Sequence, residues 1–364
     1  MIHTAAPIIE QEEIDAVNKV LESGQLAQGP KVAELEAAFA DYCGTKYAAA
    51  VSSGTAALHA ALYAAGIGPG DEVITVPYTF MATFNAILMA GAKPVLVDIE
   101  PATFTIDVTK IEQAITPKTK AILPVHLYGQ PCDIDELKAI ADKHGIKVIE
   151  DACQAVGAEY KGKIAGNLGD LGCFSLYATK NIMCGEGGVI TTNDESYLTA
   201  IKQFRQHGMS AQYDYVDIGY NYRLTDLQAA IAVEQLKKAG RFTAARQKNA
   251  AAFNEGLKDI KGIVLPATAK DRTHVYHQYT IRVTGDCKVD RQTIIDKLKE
   301  HDVFPGVYYP KGLHEFAHVQ KYGYKVGDFP VTEQAAKEVL SLPIHPRVTA
   351  DDIKLIIHII KEVA

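Results

Sequence analysis

AILPVHLYGQPCDIDELKAIADKHGIKVIEDACQ, residues 121–154, holds the unit that sets the fold. It opens and closes on short apolar runs, AILPV at 121–125 and KVIE at 147–150, and between them residues 133–144 carry apolar side chains at helical spacing. Asp133 stands where an N-cap belongs, and Gly145 where a helix stops. Strand, helix and strand in one short span imply a parallel crossover. The rhythm continues on both sides, with VITV at 73–76, PVLVD at 94–98, CFS at 173–175 and GVITT at 188–192, and with helical stretches at 79–90 and 194–206. These runs are continuously apolar instead of alternating, as strands are when helices cover both faces. The expectation is an α/β fold: a three-layer large domain with a mostly parallel central sheet.

Upstream, Val32, Leu35, Phe39 and Tyr42 line one face of a further helix. Downstream the pattern changes to long helical stretches at 241–257 and 291–301, an extended HQYTIRV at 277–283, and a final helix from about Ala350. Thr349 caps that last helix, and Ile353, Ile356, Ile357 and Ile360 form its apolar stripe. Residues 262–272, which include Pro266, read as a surface connection. The division expected is a large domain over 1–240, with an N-terminal arm, and a small C-terminal α+β domain over 241–364.

The 364 residues are 48% hydrophobic and 22% charged, enough for two cores of ordinary size. With 37 Lys plus Arg against 44 Asp plus Glu, the net charge of -7 offers no diffuse basic surface for nucleic acid or an anionic membrane. No apolar run approaches the roughly 18 residues that span a bilayer, and MIHTAAPIIEQEEID lacks a signal pattern, so a cytoplasmic location is expected. Six cysteines without a CxxC pair argue against a disulfide framework and a structural zinc site. His59, His126 and His207 have no carboxylate or thiol at ligand spacing, and no metal is expected. Cys153 and Cys184 read as small fillers. Phosphate-loop, dinucleotide, HExxH and GxSxG signatures are all missing.

What remains is a set of polar residues at the carboxyl ends of the strands, where open α/β sheets bind ligands. Asp151 directly follows KVIE, with Gln154 three residues on. A carboxylate there can hold a protonated ring nitrogen. Lys180 follows CFS in SLYATKNIMCGEGG and could form a Schiff base. Gly54 and Thr55, in SSGT, open a helix whose first N–H groups suit a phosphate. Pyridoxal 5'-phosphate brings an aldehyde, a pyridine nitrogen and a phosphate to these three places, and Phe80 could cover its ring.

These residues lie within stretches that resemble the DegT/StrS-type nucleotide-sugar aminotransferases, pyridoxal-phosphate enzymes of fold type I. The likeness runs through LAQGPKVAELE at 26–36, SSGTAAL at 52–58, GPGDEVITVPYTF at 68–80, PVHLYGQPCDID at 124–135, EDACQAVGA at 150–158, CFSLYATKN at 173–181, GEGG at 185–188 and GYNYRLTDLQAA at 219–230. The resemblance implies that Lys180 holds the internal aldimine, Asp151 binds the pyridine nitrogen, Gln154 approaches the ring hydroxyl and Phe80 stacks on the ring. It also implies phosphate contacts from Gly54, Thr55 and Ser175, and from Asn221 of a second subunit in a homodimer with shared active sites.

The implied reaction is a ping-pong transfer of an amino group from L-glutamate to the keto group of a nucleotide-linked sugar, in the making of amino sugars. Arg223, Tyr309, Lys311 and His314 are the substrate-contact candidates. VYYPKGLH at 307–314 departs from the relatives' His-Tyr-x-Pro-Leu-His, with one extra residue, Tyr308 for His and Gly312 for Pro. A keto-cyclitol acceptor, or a non-catalytic sensor that binds the cofactor, are the alternatives. Retention of Lys180 disfavours the dehydratase branch, which carries His there.

Overall fold

The apolar runs assemble into one sheet in the computed structural model, which describes residues 1–364. Its strands are β1 (Tyr47–Val51), β2 (Glu72–Thr75), β3 (Lys93–Leu96), β4 (Thr119–Ile122), β5 (Lys147–Asp151), β6 (Leu171–Ser175) and β7 (Gly188–Thr192). They lie side by side in the order β1-β7-β6-β5-β4-β2-β3. All pairings from β6 to β3 are parallel, whereas β7 runs antiparallel to both β1 and β6. Six strands therefore deliver their carboxyl ends to one edge, as expected of a mostly parallel sheet. YAAAV forms β1 although it lacks the β-branched signal, because burial on both faces suits small side chains at this position.

Strand alternation divides the core in two. Ala48, Ala50, Ile74, Val148 and Phe174 face one cluster, in which Val32, Leu35 and Phe39 of α2 (Pro30–Cys43) are buried, while α1 (Gln11–Ser23) packs Ala16 and Val20 on Ala230. Ala49, Val51, Val73, Ile149 and Ile190 face the other, beneath α3 (Gly54–Ala64), α4 (Met81–Met89) and, later in the chain, Ile201 and Phe204. Helix α5 (Ile134–His144) ends at Gly145 in the left-handed region, φ 65°, as its glycine suggested. Asp133 precedes it but makes no capping bond; its carboxylate pairs instead with Arg272. Helix α6 (Glu195–Phe204) is capped by Asp194, which accepts from the Ser196 N–H. Helix α7 (Asp226–Lys237) begins at a Thr225/Gln228 capping box, and the Asp226 carboxylate accepts from the N–H groups of Gly29, Lys31 and Val32, closing the start of α2.

Helix α8 (Ala239–Leu257) passes from one core to the next: Phe242 belongs to the large cluster, while Ala250, Phe253 and Leu257 join a separate one. Strands β8 (Ile263–Val264), β9 (Tyr279–Val283) and β10 (Val339–Leu342) form a small antiparallel sheet there. Helices α9 (Arg291–Glu300) and α11 (Ala350–Val363) flank it, and α10 (Pro330–Glu338) turns Ala335 and Ala336 back into the large cluster. In α11, Thr349 and Asp352 form the capping box, and the buried stripe is Ile353, Ile356, Ile359 and Ile360. Ile357, expected in that stripe, is half-buried beside Gly256, where a Cβ would approach its Cδ1 to 2.3 Å.

Two local expectations change. The chain start is bound to the C-terminal part, since Ile2–His3 pairs in parallel with Val303–Phe304. Residues 262–272 do not merely connect: Ile263 pairs with Val283, and the Arg272 guanidinium returns toward the start of α5 to reach the Pro131 carbonyl at 2.8 Å. No helix is long and apolar enough to cross a membrane.

One buried group fixes the end of the central strand. Glu150, fully buried on β5, accepts from the N–H groups of Gly166, Leu168 and Gly169 at 2.7–2.8 Å and faces His126 Nε2 at 3.0 Å. His126 Nδ1 accepts from the Cys132 N–H, which leaves Nε2 to donate. Glu150→Leu strands four donors in the core, and we expect a loss of about 3–5 kcal/mol in stability. A lowered denaturant midpoint, with the slope compared to wild type, checks it.

Candidate active site

At the carboxyl edge of the sheet the sequence does four local things. After β1, the chain turns through Ser53, whose Oγ accepts from the Ala56 N–H at 3.1 Å and caps α3. The first-turn N–H groups of Gly54 and Thr55 precede the helical ladder and carry the positive end of its dipole. Gly54 is required by packing, because a Cβ there would lie 2.8 Å from the Cβ of Ser175 and 3.2 Å from the Sγ of Cys153. An anion can come close to this backbone.

After β5, alternation puts Asp151 opposite Glu150. Its Oδ2 accepts from Thr83 Oγ1 at 2.7 Å, its Oδ1 from the Cys153 N–H at 3.2 Å, and Thr83 is itself paired with Thr79 at 2.9 Å. The carboxylate is thus aimed without any cationic partner from the protein. Gln154 is held at both ends: its Oε1 accepts from the Tyr128 N–H at 2.9 Å, and its Nε2 donates to Tyr309 Oη at 3.2 Å. Tyr309 comes from the C-terminal part of the chain and is gripped by Tyr78, whose Oη accepts from the Tyr309 N–H at 2.8 Å and lies 3.1 Å from its carbonyl.

After β6, Lys180 turns back with its N–H bonded to the Tyr177 carbonyl. Its side chain is half-buried and lines the cleft. Burial pulls the amine below the usual lysine range, and the negative charge of Asp151 opposes that shift. A buried amine that sheds its proton more readily is a competent nucleophile. Phe80, the residue before α4, is 61% exposed and sits 6.4 Å, ring to ring, from Tyr309 across the opening.

These groups line one cleft of about 680 Å³. It collects Gly54, Thr55, Phe80, Asp151, Gln154, Ser175, Lys180 and Tyr309 from the residues singled out by sequence. It also contains His3, Thr4, Glu186, His277, Gln278 and Tyr308, none of which stood among the site candidates. Thr4 is drawn in by its hydroxyl contact with Tyr308 Oη at 3.0 Å. Its only clue was its place in the arm. His277 and Gln278 stood at the head of HQYTIRV, read only as a strand.

Four candidates lie elsewhere. His314 is a correction: it is fully buried, with Nε2 2.9 Å from Glu333 and its ring against Phe329, so it braces the segment and cannot meet a ligand in the cleft. Lys311 is exposed beside that segment. Asn221 is exposed and bridges Gln206, and Arg223 bridges Val51 at the sheet's edge; neither lines the cleft of its own chain.

The donor set fits pyridoxal phosphate. An amine suits the aldehyde, a carboxylate suits the ring nitrogen, and a capped helix start suits the phosphate.

The sequence pattern described as the DegT/DnrJ/EryC1/StrS aminotransferase family matches residues 7–361. The chain is 43% identical to the UDP-2-acetamido-2-deoxy-3-oxo-D-glucuronate aminotransferase of Pseudomonas aeruginosa, over 95% of this chain and 94% of that one. Its fold superposes on S. venezuelae DesV, solved in complex with a ketimine intermediate, with a TM-score of 0.93 and 37% identity, covering 97% and 94% of the two chains. It also superposes on the PLP-form of the putative sugar aminotransferase Spr1654 from Streptococcus pneumoniae, with a TM-score of 0.93 and 29% identity, covering 99% of each chain.

The lowered Lys180 amine has a thermodynamic consequence in the cofactor-free protein. Between its folded value and the ordinary value near 10.5, unfolded chains hold a proton that folded chains lack. This group's contribution to stability therefore rises with pH across that window. We expect Lys180→Met to flatten that rise, as read from denaturant midpoints over a pH series.

Proposed function

The chain belongs to the DegT/DnrJ/EryC1/StrS aminotransferase family, whose members are pyridoxal-phosphate-dependent sugar aminotransferases, and on that premise we propose that it moves an amino group from L-glutamate to the keto group of a nucleotide-linked sugar, with Lys180 as the catalytic amine. The observation that carries this reading is the meeting, in one cleft, of a Lys180 amine drawn below its usual range with the Asp151 carboxylate. The Pseudomonas relative's name specifies a nucleotide-linked keto-sugar, which supports the acceptor class.

The bound cofactor supplies an aldehyde and an electron-withdrawing pyridine ring. The protein's own residues supply the rest. Asp151, aimed by Thr83 and the Cys153 N–H, holds the proton on the ring nitrogen. Gly54 and Thr55 offer N–H groups to the phosphate at the start of α3, beside Ser175. Gln154, tethered to Tyr128 and Tyr309, would lie beside the cofactor's ring. Phe80 covers a ring face. The Lys180 amine would attach the cofactor through its aldehyde and, once freed by the incoming substrate amine, would carry the α-proton.

A homodimer with shared sites completes the reading. Lys180 is the one lysine or arginine lining the cleft, which also holds Asp151 and Glu186. Beyond the N–H groups of Gly54 and Thr55 and the Ser175 hydroxyl, the chain's own cleft offers phosphates and carboxylates no second cationic side chain. Asn221 and Arg223 follow an exposed apolar stretch, with Tyr213 77%, Ile218 74% and Val216 55% accessible, as a surface meant for a second copy would be. We assign Asn221 to the phosphate of the partner's cofactor and Arg223 to the acceptor.

Two experiments test this. Purified protein given pyridoxal phosphate should show the visible band of the lysine-bound cofactor, bleached by L-glutamate, and Lys180→Ala should show neither. A band that glutamate leaves unchanged would point to another donor or to a sensor. For the shared site, Lys180→Ala and Asn221→Ala preparations, each impaired alone, should regain activity on subunit exchange, because one site of the mixed dimer is then wild type. No recovery would place Asn221 outside the partner's site.

A further inference from the structure

Gln278 ends the turn that leads into β9, and its backbone is tied on both sides. Its N–H donates to the Tyr128 carbonyl at 3.3 Å. Arg246 donates to the carbonyls of the two residues before it, Tyr276 and His277, at 2.9 and 3.3 Å, and Tyr279 after it pairs with Leu342 of β10. Tyr128 is 3% exposed with a left-handed φ of 59°, and it also gives its N–H to Gln154 and its hydroxyl to the Tyr308 carbonyl. One buried residue thus sets three residues of the cleft wall, Gln154, Gln278 and Tyr308.

The side chain of Gln278 is the exception in this bonded wall. The residue is 8% exposed and lines the cleft, yet its Oε1 is buried without a partner and no hydrogen bond within the chain involves its amide. Gln154, the other amide of the cleft, is bonded at both ends. Buried side-chain atoms without a partner occur on Gln28, Arg205, Arg246, Gln278 and His314, and of these residues Gln278 alone lines the cleft. Exchanging the oxygen and nitrogen of the amide would leave a buried donor unpartnered instead, so the want of a partner survives either assignment.

A buried amide oxygen with no donor costs stability, and native folds keep few such atoms. A ligand that supplies the donor recovers that cost. The amide presents an acceptor and a donor side by side, which narrows the class of ligand. Carboxylates and phosphates only accept, so they can meet the nitrogen but leave the oxygen as it is. Hydroxyl and acylamino groups bring a donor as well as an acceptor. L-Glutamate has two carboxylates beside the amine that reacts, whereas a keto-sugar carries hydroxyl or acylamino groups around its ring.

We propose that Gln278 is a specificity-determining residue for the acceptor: its amide hydrogen-bonds a hydroxyl or acylamino group on the ring of the nucleotide-linked keto-sugar and takes no part in the glutamate half-reaction. Tyr128 and Arg246 hold its backbone, so the amide is presented in one place. The proposal rests on the aminotransferase reading given above, and one of its two tests needs neither cofactor nor substrate.

Both tests use Gln278→Met, which keeps the length of the side chain without its amide. In the cofactor-free protein the substitution removes the unpartnered oxygen, and the thermal midpoint should stay where it is or rise by about 1–3 °C. A lowered midpoint, or a variant that does not fold, would give the amide a structural task and overturn the proposal. With pyridoxal phosphate bound, bleaching of the visible band by L-glutamate should keep a rate within about twofold of wild type. Return of the band is then followed on adding UDP-2-acetamido-2-deoxy-3-oxo-D-glucuronate, the compound in the Pseudomonas relative's name, or another nucleotide-linked keto-sugar that wild type accepts. That return should slow about ten- to a hundredfold in the variant. A return within about threefold of wild type, or equal slowing of both half-reactions, would overturn the proposal. A wild type that glutamate bleaches but that accepts no such sugar would overturn the acceptor reading itself, and this proposal with it.

Discussion

The carboxylate of Glu150 is the constraint on which the cleft depends. It is fully buried, and three backbone N–H groups of residues 166–169 and the ring of His126 converge on it. Burying such a group costs several kcal/mol unless every acceptor site is filled, and here the donors come from a loop with no regular structure of its own. One side chain therefore fixes the loop that leads into β6 and the last turn of β5. Because side chains alternate along a strand, fixing Glu150 on one face fixes Asp151 on the other. The His126 N–H bonded to the Asp151 carbonyl holds the same point from the neighbouring strand end.

From that fixed point the rest of the cleft is assembled by groups that are each held by a second residue. Thr83 and Thr79 aim Asp151, Tyr78 grips Tyr309, Tyr309 holds Gln154, and Asn181 sets the ring of His277. Several of these pairs join the carboxyl edge of the sheet to residues 275–309, so the cleft is complete only when both parts of the chain are in place. The electrostatic design follows from the same enclosure. Burial lowers the Lys180 amine and the nearby Asp151 charge opposes the shift, which leaves a group able both to attack as a free base and to carry a proton.

Much of this was legible in the residues. The continuously apolar runs located six of the seven main strands, and Asp151, Gln154 and Lys180 stood at the strand ends where ligands gather. What escaped did so for physical reasons. YAAAV lacks the branched side chains that mark a strand, since packing on both sides there selects for small size. His314 looked like a ligand contact because its partner, Glu333, lies on another element, and only the fold shows the pair to be buried. His277 and Gln278 enter the cleft because Arg246 holds a left-handed turn at Tyr276, a contact across about thirty residues that no local spacing encodes. Thr4 arrives through pairing of the chain start with Val303–Phe304, again a long-range event.

The central claim is that Lys180 is the amine that binds the cofactor covalently. Borohydride reduction of the pyridoxal-phosphate-loaded protein, followed by peptide mapping, tests it most directly. The account requires the reduced cofactor to be found on Lys180 and to vanish from it when L-glutamate is added before the reductant. Recovery of the label on a different lysine, or scattered over the exposed lysines with Lys180 unmodified, would contradict it.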